Sequence, residues 1–260
     1  MEDVAGGLGD RLLAWKGLAV AVMFAAMFLG ERLLPAARPR EGWRRSARNL
    51  GLWLANFGLS PLVVLPITAW AAGRGLVTRP DWWSGAPGLA LDIVLLDFWI
   101  YWWHRANHVV PLLWRFHEIH HLDRFLDATT ALRFHFGEVL LSALVRAGVI
   151  VALGFPFASV LAFETLVLIA ALFHHSNLRL APGFERALAR VIITPSIHWV
   201  HHHRLRADTD SNYGTMFSFW DRLFATRSPT PRGPDMPIGV EGREEGDFAR
   251  LLIIPFLPRR

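Results

Sequence analysis

Residues 139–173, VLLSALVRAGVIVALGFPFASVLAFETLVLIAALF, constrain the fold of this chain more than any other feature. The run is apolar almost throughout and is interrupted at GFPF, residues 154–157. Two helices meeting at a tight Gly-Pro turn fit its length, each long enough for most of a bilayer crossing. Composition agrees. Hydrophobic residues make up 53% and charged residues 19%, with mean hydropathy +0.30, as where lipid-facing helices dilute the charge.

Three further spans precede the hairpin. The first is 12–34, with Lys16 near enough to its start to snorkel. The second, 50–72, carries Pro61 and Pro66, which should kink it. The third, 88–103, contains Asp92 and Asp97. Between the first two lies a basic loop with Arg38, Arg40, Arg44, Arg45 and Arg48 against Glu41; the 73–88 linker holds the interfacial pair Trp82 and Trp83. The positive-inside rule puts the arginine loop in the cytoplasm, with the N-terminus outside. Span three and both ends of the hairpin then meet the same cytoplasmic face, at the inner membrane if the source is bacterial. Residues 183–193 read as amphipathic, 226–247 as a soluble tail, and LLIIPFLP as too short to span. The expected fold is all-α: a multi-pass membrane bundle of about three spans plus a helical hairpin, with a cytoplasmic helical cap holding a His-rich dimetal site. Its parts are anchor helices and linker over 1–87, a catalytic domain over 88–226 and a tail over 227–260.

The net charge of +5 and pI of 10.8 do not argue for nucleic acid, since no basic motif surrounds exposed aromatic residues. Arginines flanking apolar spans fit topology or contact with anionic lipid. The chain has no cysteine, which excludes iron–sulfur clusters, thiolate-ligated haem, disulfides and cysteine nucleophiles on it. The opening MEDVAGGLGD is acidic, so the first apolar stretch reads as an anchor rather than a cleaved signal peptide.

All twelve histidines lie between 104 and 203: His104 and His108; His117, His120 and His121; His135; His174 and His175; His198, His201, His202 and His203. On a helix, positions i, i+3 and i+4 share a face, so HxxxH aims two imidazoles at one point. HxxHH adds an adjacent pair splayed by about 100°, which suits two metal ions side by side. One four-coordinate zinc would leave most of these histidines unexplained; two ions use eight to ten of them, within the range of about four or five nitrogens each. Imidazole alone does not choose among iron, zinc, copper and nickel. His135 has no close partner and is open as ligand or surface residue. His174 and His175 compete for one place, which favours His175, and His203 reads as solvated or as a support.

The elements DFWIYWWHRANH, HEIHH, RFHFGE, HHSN, PSIHWVHHH and NYGTMFSFWDRLF follow, in order, the pattern of the sterol desaturase / fatty acid hydroxylase superfamily, which the chain resembles over about 88–226. Phe136 stands where that family usually has proline. The resemblance implies an integral-membrane enzyme that uses two iron ions and O2 to hydroxylate or desaturate a lipid C–H bond. It also implies ligands at His104, His108, His117, His120, His121, His175, His198, His201 and His202, with His135 as a further candidate. Asp97, four residues before Tyr101 and seven before His104, either orients a ligand imidazole or is neutralised by a residue such as Arg105. Asn177 is a weak ligand, a water holder or a helix cap. Asn212, Tyr213 and Asp221 belong to the cap around the metals.

No electron-transfer module is visible, so a separate donor is expected, a ferredoxin or a cytochrome with its reductase. Arg115, Arg124, Arg204 and Arg206 would either dock an acidic donor or meet lipid headgroups. Two other readings remain. HEIHH matches the HExxH of zinc hydrolases if His117 and His121 pair, which would orphan the other histidines. A metal transporter or store would place its ligands along the membrane path, usually with carboxylates.

Overall fold

The computed structural model describes residues 2–39 and 42–258, with side chains from residue 15 onward; Arg40 and Glu41 of the arginine loop lie outside the described residues. Among the described residues the regular elements are helical and there is no strand. Helix α1 spans Glu2–Leu33, α2 Trp43–Leu59, α3 Leu65–Ala72, α4 Gly85–Val109, α5 Pro111–His121, α6 Phe136–Leu153 and α7 Phe157–His175. Short helices follow: α8 Pro182–Leu188, α9 Pro195–His201, α10 Arg206–Thr209, α11 Phe219–Leu223 and α12 Phe248–Ile253.

Four helical segments among the described residues are long and apolar enough to cross a membrane: Trp43–Ala72, Gly85–Val109, Phe136–Leu153 and Phe157–His175. α1 covers the expected first span and packs along α7, where Val20, Met23, Phe24 and Met27 meet Ala171 and Leu172. The expected proline kink in the second span takes the form of a π-helical turn over Ser60–Val64, through which helix passes from α2 into α3. Widening the turn accommodates a residue that has no N–H to donate and whose ring crowds the preceding carbonyl.

The hairpin turn is local chemistry. Gly154 closes α6 at φ 64°, and Pro156 sits immediately before α7. A side chain at Gly154 would strain that left-handed conformation. The linker after α3 packs on this turn, with Leu76 N–H donating to the Val151 carbonyl at 2.8 Å. Asp92 is neutralised there, accepting from Arg79 (2.8 and 3.0 Å), Trp83 Nε1 (2.8 Å) and Ser159 (2.6 Å). Near mid-bundle, Glu164 of α7 holds both Lys16 of α1 and Arg146 of α6 at 2.8 Å, so the charges inside the apolar runs meet one another.

These contacts assign the helix ends. The linker after α3 and the 154–156 turn share one end of the bundle. The end of α1, the start of α2, the end of α4, the start of α6 and the end of α7 share the other, with every histidine. Two arginines of the basic loop are consumed there: Arg45 pairs with Asp123 at 2.7 Å and with Asp127, and Arg48 pairs with Glu245 at 2.6 Å. The segment read as a soluble tail is folded in, with Ile238 buried among Phe125, Leu126 and Trp199 and Glu245 buried on Arg48, and so is the short apolar piece after it. Leu251 and Ile254 are buried with Leu52, Ile119 and Leu122, because α12 covers the outer faces of α2 and α5.

Candidate metal centre

The centre begins where α4 ends. Val110 is extended (φ −86°, ψ 115°), the conformation that a following proline imposes, and Pro111 then opens α5 at its first position. This immediate turn lays the second histidine box against the first. His117 lies 5.1 Å from His104 and 4.9 Å from His108, and His121 lies 4.8 Å from His108, between ring centroids. Pro195 likewise opens α9, which carries the third box.

Nine imidazoles sort into two buried groups. His104, His108, His117, His121 and His201 form one; His120, His175, His198 and His202 form the other; within each group the candidate ligand atoms lie within 4.8 Å of one another. Each i, i+4 pair stays together: 104/108 and 117/121 in the five-histidine group, 198/202 in the four-histidine group. The middle histidine of each HxxHH crosses over. His120 leaves its box for the four-histidine group, and His201 leaves its box for the five-histidine group. α5 and α9 therefore each contribute to both groups, and His121 stacks on His202 at 4.3 Å where the groups abut.

Hydrogen bonds behind the rings set their orientation. Nδ1 of His104 bonds the Tyr213 carbonyl (2.8 Å), that of His117 bonds Glu138 (2.8 Å), and that of His201 bonds the Ser211 carbonyl (2.6 Å). In the other group Nδ1 of His120 bonds the Arg133 carbonyl (2.9 Å) and that of His175 bonds the Ala171 carbonyl (2.8 Å). A carbonyl or carboxylate fixes the proton on Nδ1 and leaves the Nε2 lone pair facing inward. Burial, and then the neighbouring imidazoles, push His120, His121, His198, His201 and His202 well below the ordinary histidine range, so these rings are neutral.

A metal fits what these rings lack. Nε2 of His120 and Nε2 of His175, each ring with its proton held on Nδ1, meet at 3.0 Å as two lone pairs, and among the described residues Nε2 of His108 and of His201 is buried without a hydrogen-bond partner. Buried nitrogens without partners are costly, and a cation accepting their lone pairs removes the cost. The donor sets are all imidazole, which suits iron, zinc, copper or nickel.

The remaining candidate residues are placed as follows. His135 lies outside both groups and both its nitrogens are committed: Nδ1 accepts from Gly137 N–H (3.0 Å) at the head of α6, and Nε2 bonds the Leu252 carbonyl (3.1 Å). It is buried, so it is neither in the ligand groups nor a surface residue. His174 packs on His198 at 4.0 Å without joining a group, and His203 bonds Asp208 at 2.7 Å. Asp97 neither reaches a ligand ring nor pairs with Arg105. Its carboxylate accepts from the Met216 and Phe217 amides (3.1 and 3.2 Å) and from Trp220 Nε1 (2.8 Å), pinning the loop after the NYG turn to α4. Asn177 ties the end of α7 to the end of α1, accepting from Ala37 N–H (2.9 Å) and donating to the Ala37 carbonyl (2.8 Å). Tyr213 puts its ring 5.3 Å from His108, and its carbonyl holds His104; Asp221 fixes that carbonyl by accepting from Tyr213 N–H (2.7 Å) and Gly214 N–H (2.9 Å). In HEIHH, Glu118 faces Arg243 at 3.0 Å, so the acid a zinc hydrolase would use as a base is engaged by an arginine.

Two acids escaped sequence reasoning. Glu138 supports His117; it closes the RFHFGE element, which marked the resemblance without giving this acid a role. Glu245 had no local signal at all.

A fatty acid hydroxylase family model matches residues 89–226. The chain is 29% identical over 258 residues to the ornithine lipid hydroxylase OlsE of Rhizobium tropici, covering 95% of this chain and 77% of that protein. It is 30% identical over 147 residues to alkylglycerol monooxygenase of Danio rerio, covering 56% of this chain and 32% of that protein. A very-long-chain aldehyde decarbonylase, GL1-5 of Oryza sativa subsp. indica, is 28% identical over 157 residues, covering 56% of this chain and 25% of that protein. The chain thus spans most of the first of these relatives and a third or less of the others. No solved structure matches it.

Proposed function

The chain belongs to the fatty acid hydroxylase family, and on that premise we propose that it is a membrane-bound lipid hydroxylase whose nine grouped histidines hold two iron ions. The observation that carries this reading is the sharing of both HxxHH boxes between two adjoining all-imidazole groups, an arrangement that a single-ion site does not need. Two irons bound there would supply O2-dependent oxidation of an unactivated C–H bond.

The protein's own residues do the placing. Glu138 and four backbone carbonyls keep protons on Nδ1, so the inward nitrogens are free to ligate. The Tyr213 ring lies against His104, His108 and His201 and keeps water from that side. Neutral imidazole ligands leave the site cationic, unlike the carboxylate-rich soluble bundles. α4 and α7 bring the ligands to the ends of membrane-length helices, next to the layer in which a lipid substrate would lie. Two of the relatives are named a hydroxylase of ornithine lipid and a monooxygenase of alkylglycerol, which favours hydroxylation of a polar-headed lipid over desaturation.

Reduction requires a separate donor. Of the four arginines considered for docking it, Arg115 bonds the Leu257 carbonyl and Arg206 pairs with Asp210 at 2.6 Å. Arg124 and Arg204 are exposed and, with Arg243, line a cavity of about 170 Å³ whose Gly239 donates to the carbonyl of His202 (3.2 Å). An acidic ferredoxin or cytochrome docked there lies one hydrogen bond from a ligand residue. The arginine-rich end faces the cytoplasm in this reading.

Lipid extracts from cells with and without the protein, compared by mass spectrometry under O2, test the proposal. A gain of one oxygen in a lipid, lost in a folded His120→Ala variant, is expected. Full activity in that variant overturns it.

A further inference from the structure

The ring of His120 is held by a residue that is itself held from outside the family-matched region. Its Nδ1 bonds the Arg133 carbonyl at 2.9 Å. The Arg133 side chain is fully buried and reaches back to the same stretch of α5, donating from Nε to the carbonyl of Ile119 at 2.7 Å. Arg133 therefore grips His120 twice, through the ring proton and through the peptide just before it.

A buried guanidinium needs a counter-charge close by, or the grip fails. Arg133 Nη1 donates to Glu245 at 2.6 Å and to Asn49 at 2.9 Å. Asp123 also stands near Arg133, but among the described residues it makes no hydrogen bond to that guanidinium: its Oδ2 accepts from Arg45 (2.7 Å), Asn49 (3.0 Å) and Thr130 (2.8 Å), and its Oδ1 is without a partner. Glu245 is anchored in turn by Arg48 of α2, at 2.9 and 2.6 Å. Two residues earlier, Arg243 meets Glu118 on the back of α5. The 243–245 segment is thus a clasp across the outer side of the second histidine box. The carbonyls behind His104, His175 and His201 belong to residues with no such buried charge.

We propose that Glu245, in the C-terminal segment beyond residue 226, is a positioning residue for His120: by compensating Arg133 it holds the ring that the four-histidine group takes from α5. This rests on the two-ion reading of the centre. Supporting partners of ligand histidines typically change metal affinity by about 10–100-fold when removed.

The test is metal content of the purified full chain in detergent, measured by elemental analysis across a chelator series, for wild type and Glu245→Gln. Wild type should hold two ions. The variant should release one of them at a roughly 10–100-fold lower chelator concentration and keep the other as wild type does, with unchanged helix content by circular dichroism. Glu245→Asp, which keeps the charge and withdraws it by one methylene, should show the same selective loss in smaller degree and serves if Glu245→Gln does not fold. Two ions held as tightly as in wild type, or both lost together, overturns the clasp. Fewer than two ions in wild type overturns the two-ion reading, and the clasp with it.

Discussion

The two imidazole groups come from the same boxes but are supported differently. The five-histidine group is backed by a carboxylate, Glu138 on His117, and by two carbonyls of the 211–213 loop, where Asp221 accepts from the Tyr213 amide and Asn212 turns the chain at φ 51°. Among the described residues, the four-histidine group has no carboxylate on any ring. Two of its members rest on carbonyls, and Nδ1 of both His198 and His202 is unpartnered. A carboxylate raises the basicity of the ring it holds, whereas a carbonyl mainly orients it. The first group is therefore the more strongly donating, and the second depends more on the packing around it.

Deleting ligands breaks the comparison most severely. His117→Ala and His120→Ala should each abolish O2-dependent product, yet elemental analysis should show each losing the ion of its own group first. Glu138→Gln comes next: about 10–100-fold weaker holding of one ion, with the other unchanged, mirroring the loss expected for Glu245→Gln at the opposite group. Loss of both ions together in Glu138→Gln would show that the groups do not act separately. Asp97→Asn works at a distance from both. Replacing one acceptor oxygen with a donor beside the Met216 and Phe217 amides should lower stability by about 1–3 kcal/mol, read as a lower Tm, with both ions retained. Tyr213→Phe should do least. The ring against the five-histidine group remains, and turnover should change by less than about twofold, a difference of under 0.5 kcal/mol.

Much of this was readable in the chain because it is local. The i, i+4 pairs 104/108, 117/121 and 198/202 each stay in one group because the helical repeat puts them on one face. The hairpin lies between α6 and α7 because GFPF stops one helix and starts the next. His135 shows the limit. It stands alone in the sequence, but its state depends on the Leu252 carbonyl, 117 residues away. The 226–247 tail misled for a related reason: its Pro, Gly and charges resemble a solvated strand of chain, although Glu245 is 5% exposed and carries two arginines.

By itself the sequence determined that the protein is helical and rich in membrane-length segments, and that it carries an excess of histidines at helical spacing near their ends. Those properties follow from hydropathy and backbone periodicity, which act within a turn or a span. Tertiary structure alone decided that His120 and His201 cross between groups, that Asp97 pins a loop rather than a ligand, and that the C-terminal segment clasps the second box. Those outcomes depend on which polar groups are buried together, and a buried charge or ring nitrogen takes whatever partner the folded chain brings within about 3 Å, however distant in sequence.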